Sequence, residues 1–367
     1  MTAKLRRAAL YVIGIASAAG GAALTTTGMP NPATPVSTSA IAVDLEALQT
    51  LRKQGVFFPP DSSPPSTVTA FKSYLRNHDA YADYLTREEF LRFSQVQQEK
   101  YAGIGLELER NPHGEVICYP DRVGPAAKAG VAAGDRLVAV GGQSIEGWAL
   151  PSVVATSAGS PGSALAIEVA RGAVRRRFNV IRTQRLGPSV SAQHRGGSAL
   201  MRIASFTPST RQELEFELLH VKPQESLTLD LRGNRGGDLN AAMDCAMLFL
   251  NKGESVASVR RKDAVQPFVS SITGRWHARK ALLWQDEETA SAAEVFIAAL
   301  TENRHGTSMG TKSFGKGTEQ DLFVLGSGAA LIVTTGFLVT PSGHEIDGQG
   351  IEPNRVLAPG TEPHIWR

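Results

Sequence analysis

An apolar strand runs into a glycine-rich turn at Leu229-Asp230-Leu231-Arg232-Gly233-Asn234-Arg235-Gly236-Gly237. The strand pattern begins at Ser226, and a helical pattern follows from Asn240 to Leu250. Strand and helix candidates alternate in this way from Ser189 to two late strands, Leu331 to Thr335 and Phe337 to Thr340. Such alternation is typical of an α/β domain. The sequence therefore predicts an α/β core over residues 186–360.

Two short segments beyond this turn carry a serine and a lysine in positions suited to catalysis. In Glu288-Thr289-Ala290-Ser291-Ala292-Ala293-Glu294, the serine lies among small residues where a helix is predicted to begin. In Ser313-Phe314-Gly315-Lys316-Gly317-Thr318-Glu319-Gln320, the lysine lies on a glycine-flanked turn. A serine hydroxyl needs a base to take its proton. A lysine is such a base only when neutral, and apolar burial favours that form by lowering a pKa of about 10.4. Taken alone, Ser291 is more typical of a helix cap and Lys316 of a surface lysine, and the presence of both motifs favours catalysis.

Composition places the chain among ordinary globular proteins. It has 367 residues and a formal net charge of +3, enough length for two or three domains. No run of Lys and Arg is interleaved with aromatic residues, so a nucleic-acid partner is not expected. The two cysteines, Cys118 and Cys245, match no metal-ligand spacing and lie in apolar runs. We expect buried free thiols.

The N-terminus has the pattern of an export signal. Lys4, Arg6 and Arg7 precede an apolar run from Ala8 to about Leu24, and a Thr/Pro/Ser-rich stretch follows to about Ala40. Residues 1–40 are therefore predicted to be a signal peptide or a retained signal anchor with a polar linker. The apolar run is near the lower length limit for a membrane span, which leaves open a membrane tether. We expect the remainder to lie in the periplasm or on the outer face of the cytoplasmic membrane.

Helical spacing of apolar residues predicts an N-terminal helical segment over residues 41–98. Within it, Thr86-Arg87-Glu88-Glu89 matches a capping box that opens a short helix. The character of the sequence changes near Tyr101. Short β-like runs separated by Gly and Pro continue to about Thr183, which predicts a separate β-rich domain over residues 99–185.

This second region resembles a PDZ domain. The matching pieces are Tyr101-Ala102-Gly103-Ile104-Gly105-Leu106, Gly124-Pro125-Ala126-Ala127-Lys128-Ala129-Gly130 and Gly134-Asp135-Arg136-Leu137. The resemblance implies that the backbone N–H groups of the glycine-rich loop hold a peptide's terminal carboxylate while the strand edge pairs with its backbone. The residues expected to bind the peptide are Gly103, Ile104, Gly105 and Leu106. The alternative is that these glycines only make turns.

From about Tyr101 to Asn354 the chain resembles the carboxyl-terminal processing peptidases, the tail-specific Ser/Lys proteases with a crotonase-like fold. The strand and turn at 229–237 match the family's strand-and-turn motif. Thr289 to Glu294 matches its nucleophile motif, and Phe314 to Gln320 its base motif. Its late strand and turn match Thr340-Pro341-Ser342-Gly343 and Gly348-Gln349-Gly350-Ile351-Glu352-Pro353. The fold implied is α/β multidomain, with a crotonase-like core, an inserted PDZ domain and an N-terminal helical segment.

The resemblance also implies a role for each site residue. Ser291 falls on the nucleophile, Lys316 on the general base, and Gln320 on the glutamine that orients the lysine. The alternative for Gln320 is that it only satisfies a strand edge. A side-chain amide holds an amine without adding charge. The backbone N–H of Ala292 is expected to be one oxyanion donor, and the turn at Gly236-Gly237 is expected to supply the second. No metal or organic cofactor is implied.

Three positions differ from the family pattern. Ala293 stands where serine is frequent, and an alanine should be tolerated there. Arg235 stands where proline is common and adds a charge beside the proposed oxyanion turn. Glu319 and Asp321 flank Gln320, and either would keep Lys316 protonated if it faced the amine. Strand alternation predicts that both point away from the face of Gln320.

The function expected from these features is cleavage of protein substrates near their C-termini, with the PDZ-like domain capturing the tail and gating the site. Partners would be proteins or peptides with exposed C-terminal tails, and the N-terminal helices are candidates for homo-oligomer contacts. One alternative is a catalytically inactive PDZ-containing scaffold in the periplasm. Another is a general acyl hydrolase on the same fold.

Overall fold

The structure is a computed structural model, and it describes residues 9–11, 42–59, 63–97, 102–111, 113–121, 124–148, 150–183 and 188–358. Tyr101 of the PDZ-like motif and nearly all of the predicted signal segment lie outside the described residues. The exception in that segment is a three-residue strand, β1 (Ala9–Tyr11). No helix in the described ranges combines the length and the apolar character needed to cross a membrane.

The N-terminal segment folds as helices with one added strand. Its elements are α1 (Leu45–Gln54), α2 (Val68–His78), β2 (Asp83–Leu85) and α3 (Arg87–Gln97). The predicted capping box is present: Glu89 accepts a hydrogen bond from Thr86 N–H at 2.8 Å, and Glu89 N–H donates to Thr86 Oγ1 at 3.4 Å. Phe71 and Tyr84 of this segment pack with Leu331 of the α/β core. The segment is therefore fixed on the core.

The PDZ-like region forms an antiparallel sheet with two short helices. Its elements are β3 (Leu106–Arg110), β4 (Val116–Pro120), α4 (Pro125–Ala129), β5 (Arg136–Val140), β6 (Gln143–Ser144), α5 (Leu150–Ser157), β7 (Ala164–Arg171) and β8 (Val174–Ile181). The strand order is β1-β3-β4-β5-β7-β8, with β6 beside β5. Strand β4 covers only one edge of β3, and β1 pairs with the other edge of β3.

The core begins with a six-stranded sheet. Its elements in chain order are β9 (Val190–Arg195), β10 (Ser198–Ile203), α6 (Thr210–Leu219), β11 (Ser226–Asp230), α7 (Leu239–Ala246), β14 (Ala281–Gln285), α8 (Ala292–Glu302), β15 (Gly306–Gly310) and β18 (Arg355–Val356). The strand order is β18-β15-β14-β11-β10-β9. All neighbours are parallel except β9 with β10. Parallel strands with crossover helices confirm the predicted α/β class.

A second, antiparallel sheet lies beside the first. It contains β12 (Ser255–Arg261), β13 (Val265–Val269), β16 (Thr318–Val324) and β17 (Ala330–Val339), in the order β13-β12-β17-β16, with β2 joining at β17. The two predicted late strands are one continuous strand, so the predicted break near Gly336 was wrong. A Cβ on Gly336 would lie 2.4 Å from Val259 Cγ1, so the glycine allows the neighbouring strand to approach.

Helix α8 is the centre of the hydrophobic core, and every residue from Ala292 to Leu300 is buried. Phe296 packs against Phe206 and Phe249, with ring centroids 5.5 Å and 6.5 Å away. Aromatic packing of this kind adds to the burial of large apolar area. The N-terminus of α8 is therefore held rigidly. The two cysteines are buried and free, as predicted.

Candidate active site

Ser291 occupies a strained turn between β14 and α8. Its backbone has φ 57° and ψ −122°, a conformation that residues other than glycine rarely adopt. Strain of this kind persists where the surrounding structure enforces it, and it is frequent at functional sites. The side chain is half-buried, and the first N–H groups of a buried helix follow it. Among the described residues, the N–H groups of Ala293 and Glu294 donate to the carbonyls of Ala290 and Ser291, so the turn presents the hydroxyl beside the N–H of Ala292.

Lys316 lies in the loop between β15 and β16 and is almost completely buried, with 3% of its surface exposed. Its Nζ lies 5.0 Å from the centroid of the Tyr81 ring, which the N-terminal segment contributes. Burial lowers the pKa of Lys316 to about 8, against the opposing effect of the Glu107 carboxylate. A substantial fraction of the amine is thus neutral near pH 8, as a general base requires.

The carboxylate of Glu294 joins the two segments. Its Oε2 accepts hydrogen bonds from Ser291 N–H at 2.7 Å and from Lys316 N–H at 2.9 Å. Its Oε1 accepts from Ser313 Oγ at 2.6 Å and from Gly315 N–H at 2.7 Å. One oxygen therefore holds the backbones of the serine and the lysine within two hydrogen-bond lengths of each other. Burial raises the pKa of Glu294 to about 7, although these hydrogen bonds oppose the shift.

The proposed oxyanion turn lies against Ser291. A Cβ on Gly236 would be 2.9 Å from Ser291 Cβ and 3.0 Å from the Ala292 nitrogen. The N–H of Gly236 itself donates to Asn234 Oδ1 at 2.8 Å, so it is engaged within the turn. Within the described residues, no hydrogen bond is assigned to the N–H of Gly237 or Ala292. Of the oxyanion donors expected from the sequence, the N–H groups of Gly237 and Ala292 are therefore the two that remain available.

Asn234 holds this turn in place. The residue is fully buried, and its Nδ2 donates to the carbonyl of Ile203 at 2.9 Å. Its backbone carbonyl accepts from Ala290 N–H at 3.0 Å, directly before the nucleophile. The glycine-rich turn and the serine turn are thus tied together by one asparagine.

Gln320 lies on β16, and its side-chain amide forms hydrogen bonds with two threonines. Its Nε2 donates to Thr318 Oγ1 at 2.9 Å and to Thr334 Oγ1 at 3.3 Å. Across the ranges that the structure describes, it makes no hydrogen bond to Lys316 in this arrangement. The expected orienting role of Gln320 therefore stays a prediction. The neighbouring Glu319 and Asp321 both pair with Arg261, at 2.8 Å and 3.1 Å, which agrees with the expectation that they face away.

The PDZ-like loop presents backbone donors at the start of β3. Gly103 N–H is engaged with the carbonyl of Thr183 at 3.1 Å, and Ile104 is buried in the PDZ core. In the part of the chain that the structure covers, the N–H groups of Ile104 and Gly105 have no assigned partner. Gly105 has φ +61°, and Leu106 begins the strand. The loop thus retains two free donors beside a strand edge.

Sequence reasoning missed the roles of Glu294, Asn234 and Tyr81. Glu294 stands three residues after Ser291, the spacing of a capping box, so the pattern could have indicated its hydrogen bond to Ser291. Its contact with the lysine loop depends on the tertiary structure. Tyr81 carries no sequence signal, because it comes from a different domain. Among the described residues, no group of three or more His, Cys, Asp or Glu side chains is placed to hold a metal ion.

Fold and site together define a class of protein: a mixed α/β core with a PDZ-like domain, a serine on a strained turn and a buried lysine. Comparison with known proteins makes this more specific. The Peptidase family S41 model matches residues 197–357, and a PDZ domain model matches residues 116–171. Residues 197–357 are thus similar to peptidase family S41, and the region before them is similar to a PDZ domain. The resemblance predicted from the sequence is confirmed.

Two curated relatives are named CtpA-like serine proteases. The protein from Staphylococcus haemolyticus strain JCSC1435 is 30% identical over 284 residues, covering 76% of this chain and 57% of the relative. The protein from Staphylococcus aureus strain N315 is 31% identical over 284 residues, again covering 76% of this chain and 57% of the relative. The chain therefore spans somewhat more than half the length of these relatives.

A solved structure shares the overall fold. The photosystem II D1 C-terminal processing protease superimposes with a TM-score of 0.75 at 23% sequence identity. The match covers 87% of this chain and 93% of that chain. At this level of identity the likeness concerns the fold, and it extends over the N-terminal segment, the PDZ domain and the core together.

Proposed function

We propose that this protein is a serine endopeptidase that cleaves protein substrates near their C-termini. The observation that carries the proposal is the Glu294 carboxylate, which binds the backbone of Ser291 and of a buried Lys316 through one oxygen. A buried lysine with a lowered pKa beside a serine on a strained turn matches the requirements of an activated nucleophile. Similarity to peptidase family S41 over residues 197–357 favours peptide substrates over other acyl compounds.

In the proposed reaction, Ser291 Oγ attacks the scissile carbonyl carbon while neutral Lys316 takes the hydroxyl proton. The negative charge that develops on the carbonyl oxygen is stabilised by the N–H groups of Gly237 and Ala292. Lys316, now an ammonium, gives its proton to the leaving amine, and an acyl-enzyme remains on Ser291. A water molecule then gives a proton to Lys316 and attacks the ester. The proton returns to Ser291 Oγ, which restores the free enzyme.

Tail capture is assigned to the PDZ domain. The free N–H groups of Ile104 and Gly105 suit a terminal carboxylate, and the edge of β3 suits antiparallel pairing with the peptide backbone. The pairing of β1 with Leu108–Arg110 supports this, because it shows that the edge accepts a strand. Substrates with an exposed, extended C-terminus are therefore the proposed class.

The test is hydrolysis of an unfolded protein with an apolar tail by the full chain and by Ser291→Ala and Lys316→Ala. Each substitution should lower kcat by at least about a thousandfold, because nucleophile and base act as one unit. Lys312→Ala is the matched control, since Lys312 lies on the same loop but is exposed and pairs with Glu352. Hydrolysis unchanged in both site variants would contradict the proposal. Absence of hydrolysis in the unsubstituted chain would favour the scaffold, and cleavage of small esters but not peptides would favour a general acyl hydrolase.

We also propose that the protein is exported and acts in the periplasm or on the outer face of the cytoplasmic membrane. The basic residues followed by an apolar run near the N-terminus support this. Cell fractionation with N-terminal sequencing tests it. A cytoplasmic protein that retains Met1 would contradict export, while a retained segment in the membrane fraction would identify a tether. Homo-oligomer formation through the N-terminal helices is a separate proposal, testable by light scattering.

A further inference from the structure

Asp79 is a buried carboxylate of the N-terminal segment that faces the peptidase core. It stands directly after α2, and only 1% of its surface is exposed. Its Oδ1 accepts hydrogen bonds from Tyr81 N–H at 2.9 Å and from Thr334 Oγ1 at 3.0 Å, and its Oδ2 accepts from Thr334 N–H at 2.8 Å. Burial raises the pKa of Asp79, and these hydrogen bonds oppose the shift. The hydrogen bonds therefore stabilise the ionised form, which burial alone would disfavour.

Thr334 lies at a gap in the second sheet that the N-terminal segment fills. Strand β2 pairs with β17 at residues 330–332, and β12 pairs with β17 at residues 336–339. Between these two stretches, the N–H of Thr334 donates to Asp79, and its carbonyl accepts from Val56 N–H at 3.0 Å. Both backbone groups of Thr334 are thus held by the N-terminal segment, and this contact positions the threonine side chain.

The Thr334 hydroxyl connects Asp79 with Gln320, which pairs with Thr334 across β16 and β17. A hydroxyl has a single proton to donate, and Thr334 donates it to Asp79. Toward Gln320 the hydroxyl is therefore only an acceptor, and it accepts from Nε2 at 3.3 Å. The same Nε2 donates to Thr318 Oγ1 at 2.9 Å. The NH₂ group of Gln320 is consequently fixed toward the threonines.

The oxygen of this amide is free to serve the base. Within the described residues, no hydrogen bond is assigned to Gln320 Oε1. An amide oxygen only accepts hydrogen bonds, and the ammonium of Lys316 that forms during the reaction only donates them. The lysine is close to the same contacts, because Thr318 follows it by two residues and Nζ lies 5.0 Å from the centroid of the Tyr81 ring. A glutamine turned the other way would present donors to a donor.

We propose that Asp79 is a positioning residue for the peptidase reaction: through Thr334 it fixes the amide of Gln320, so that the amide oxygen is available to Lys316. The proposal rests on the proposed peptidase function and on the expected role of Gln320. It gives the N-terminal segment a part in the reaction, because Asp79 belongs to that segment and the amide belongs to the core. Loss of the carboxylate should therefore slow the chemical step without weakening the binding of the peptide.

The experiment measures kcat and KM for one tailed peptide with the full chain and with Asp79→Asn. The asparagine turns an NH₂ group toward a donor of Tyr81 or Thr334, which disturbs the Thr334 hydroxyl. We expect kcat to fall about tenfold to a hundredfold, part of what a positioned base contributes, and KM to change by less than about twofold. Asp83→Asn is the matched control, because Asp83 is also buried, lies in the same segment and pairs with the same strand β17. It should keep its kcat.

A double-mutant cycle separates positioning from a general structural effect. If Asp79 acts through the amide, Asp79→Asn should lower kcat by less than about twofold in a Gln320→Ala background. An equal fold-loss of kcat in the two backgrounds would overturn the proposal. Equal losses of kcat in Asp79→Asn and Asp83→Asn would also overturn it, since they would show that burial of a carboxylate in this segment matters only for folding.

Two variants of Thr334 test the same link even if Asp79→Asn does not fold. Thr334→Ser keeps the hydroxyl and should retain most of its kcat, whereas Thr334→Val removes the hydroxyl and should lose as much kcat as is expected for Asp79→Asn. Equal kcat in the two Thr334 variants would overturn the role of Asp79 and leave the peptidase function intact. Absence of hydrolysis in the unsubstituted protein would overturn the proposed function and the role of Asp79 with it.

Discussion

Glu294 is the residue on which the relative position of the serine and the lysine depends. It is fully buried, and its two oxygens accept from four donors in two separate segments. An ionised carboxylate suits this arrangement because it only accepts hydrogen bonds. An amide at this position would turn an NH₂ group toward N–H donors. The carboxylate itself is therefore required, and an amide side chain of the same size does not replace it.

Glu294→Gln should lower kcat at least about a hundredfold and the free energy of unfolding by about 1–3 kcal/mol, the cost of leaving buried donors unpaired. Kinetics on a tailed substrate and thermal unfolding measure the two effects. Glu302→Gln is the control at the other end of the same helix, where the carboxylate accepts from Ser342 N–H at the surface. Full activity of Glu294→Gln would show that the carboxylate does not position the pair.

The lowered pKa of Lys316 predicts the pH dependence of the reaction. The neutral amine is the active form, and burial lowers the pKa to about 8 from the ordinary value of 10.5. Below that pKa, kcat/KM should rise about tenfold for each pH unit, and above it the rate should level off. A pH–rate profile on one peptide substrate checks this. A rate that does not change with pH, or that rises only near pH 10, would contradict a buried lysine base.

At the scale of elements, the oxyanion site depends on how closely two turns approach. A Cβ on Gly237 would lie 2.0 Å from the Phe206 carbonyl oxygen, and the residue has φ +130°. Any side chain there forces the turn away from Phe206 and displaces the N–H of Gly237. The glycine is therefore needed for position as well as for conformation.

Gly237→Ala should lower kcat by about 10²–10³, the usual effect of losing one oxyanion donor. Gly253→Ala is matched to it, since Gly253 also has a positive φ but has open space around the added Cβ. The control should lose about 1 kcal/mol of stability from backbone strain and keep its kcat. Equal losses of kcat in the two variants would mean that the Gly237 effect is general strain.

The elements of the α/β core were largely predictable, because strong periodicity and flanking glycines define them. The helix predicted to begin at Ser291 is found at Ala292–Glu302. The hairpin of β12 and β13 was not predicted, since β12 ends on Arg260 and Arg261 and four of the five residues of β13 are exposed. The strand β2 was also missed, because three residues are too few to show a period. Its existence depends on pairing with β17.

At the scale of the whole molecule, three domains contribute to one site. The N-terminal segment supplies Tyr81 over the lysine, and the PDZ domain supplies Glu107 and Glu109 around Arg235. The serine and lysine motifs could be found from sequence because their chemistry is local. The contacts between domains could not, because Arg235 and Glu109 are 126 positions apart and neither residue type indicates its partner.

This arrangement predicts that the terminal carboxylate of the substrate affects kcat/KM although it lies far from the scissile bond. Amidation of the C-terminus should lower kcat/KM about tenfold or more, the expected loss of hydrogen bonds to a charged group. The comparison uses two peptides that share one cleavable sequence. Equal kcat/KM for acid and amide would show that the PDZ loop does not read the carboxylate.

The central claim is that Ser291 is the nucleophile and Lys316 its base. The most direct measurement is peptide mapping by mass spectrometry after reaction of the full chain with a fluorophosphonate in the presence of a tail peptide. We expect one adduct, on Ser291, that is absent in Ser291→Ala and forms at least about a hundredfold more slowly in Lys316→Ala. An adduct on another residue, or one that forms on Ser291 at an unchanged rate in Lys316→Ala, would contradict the claim.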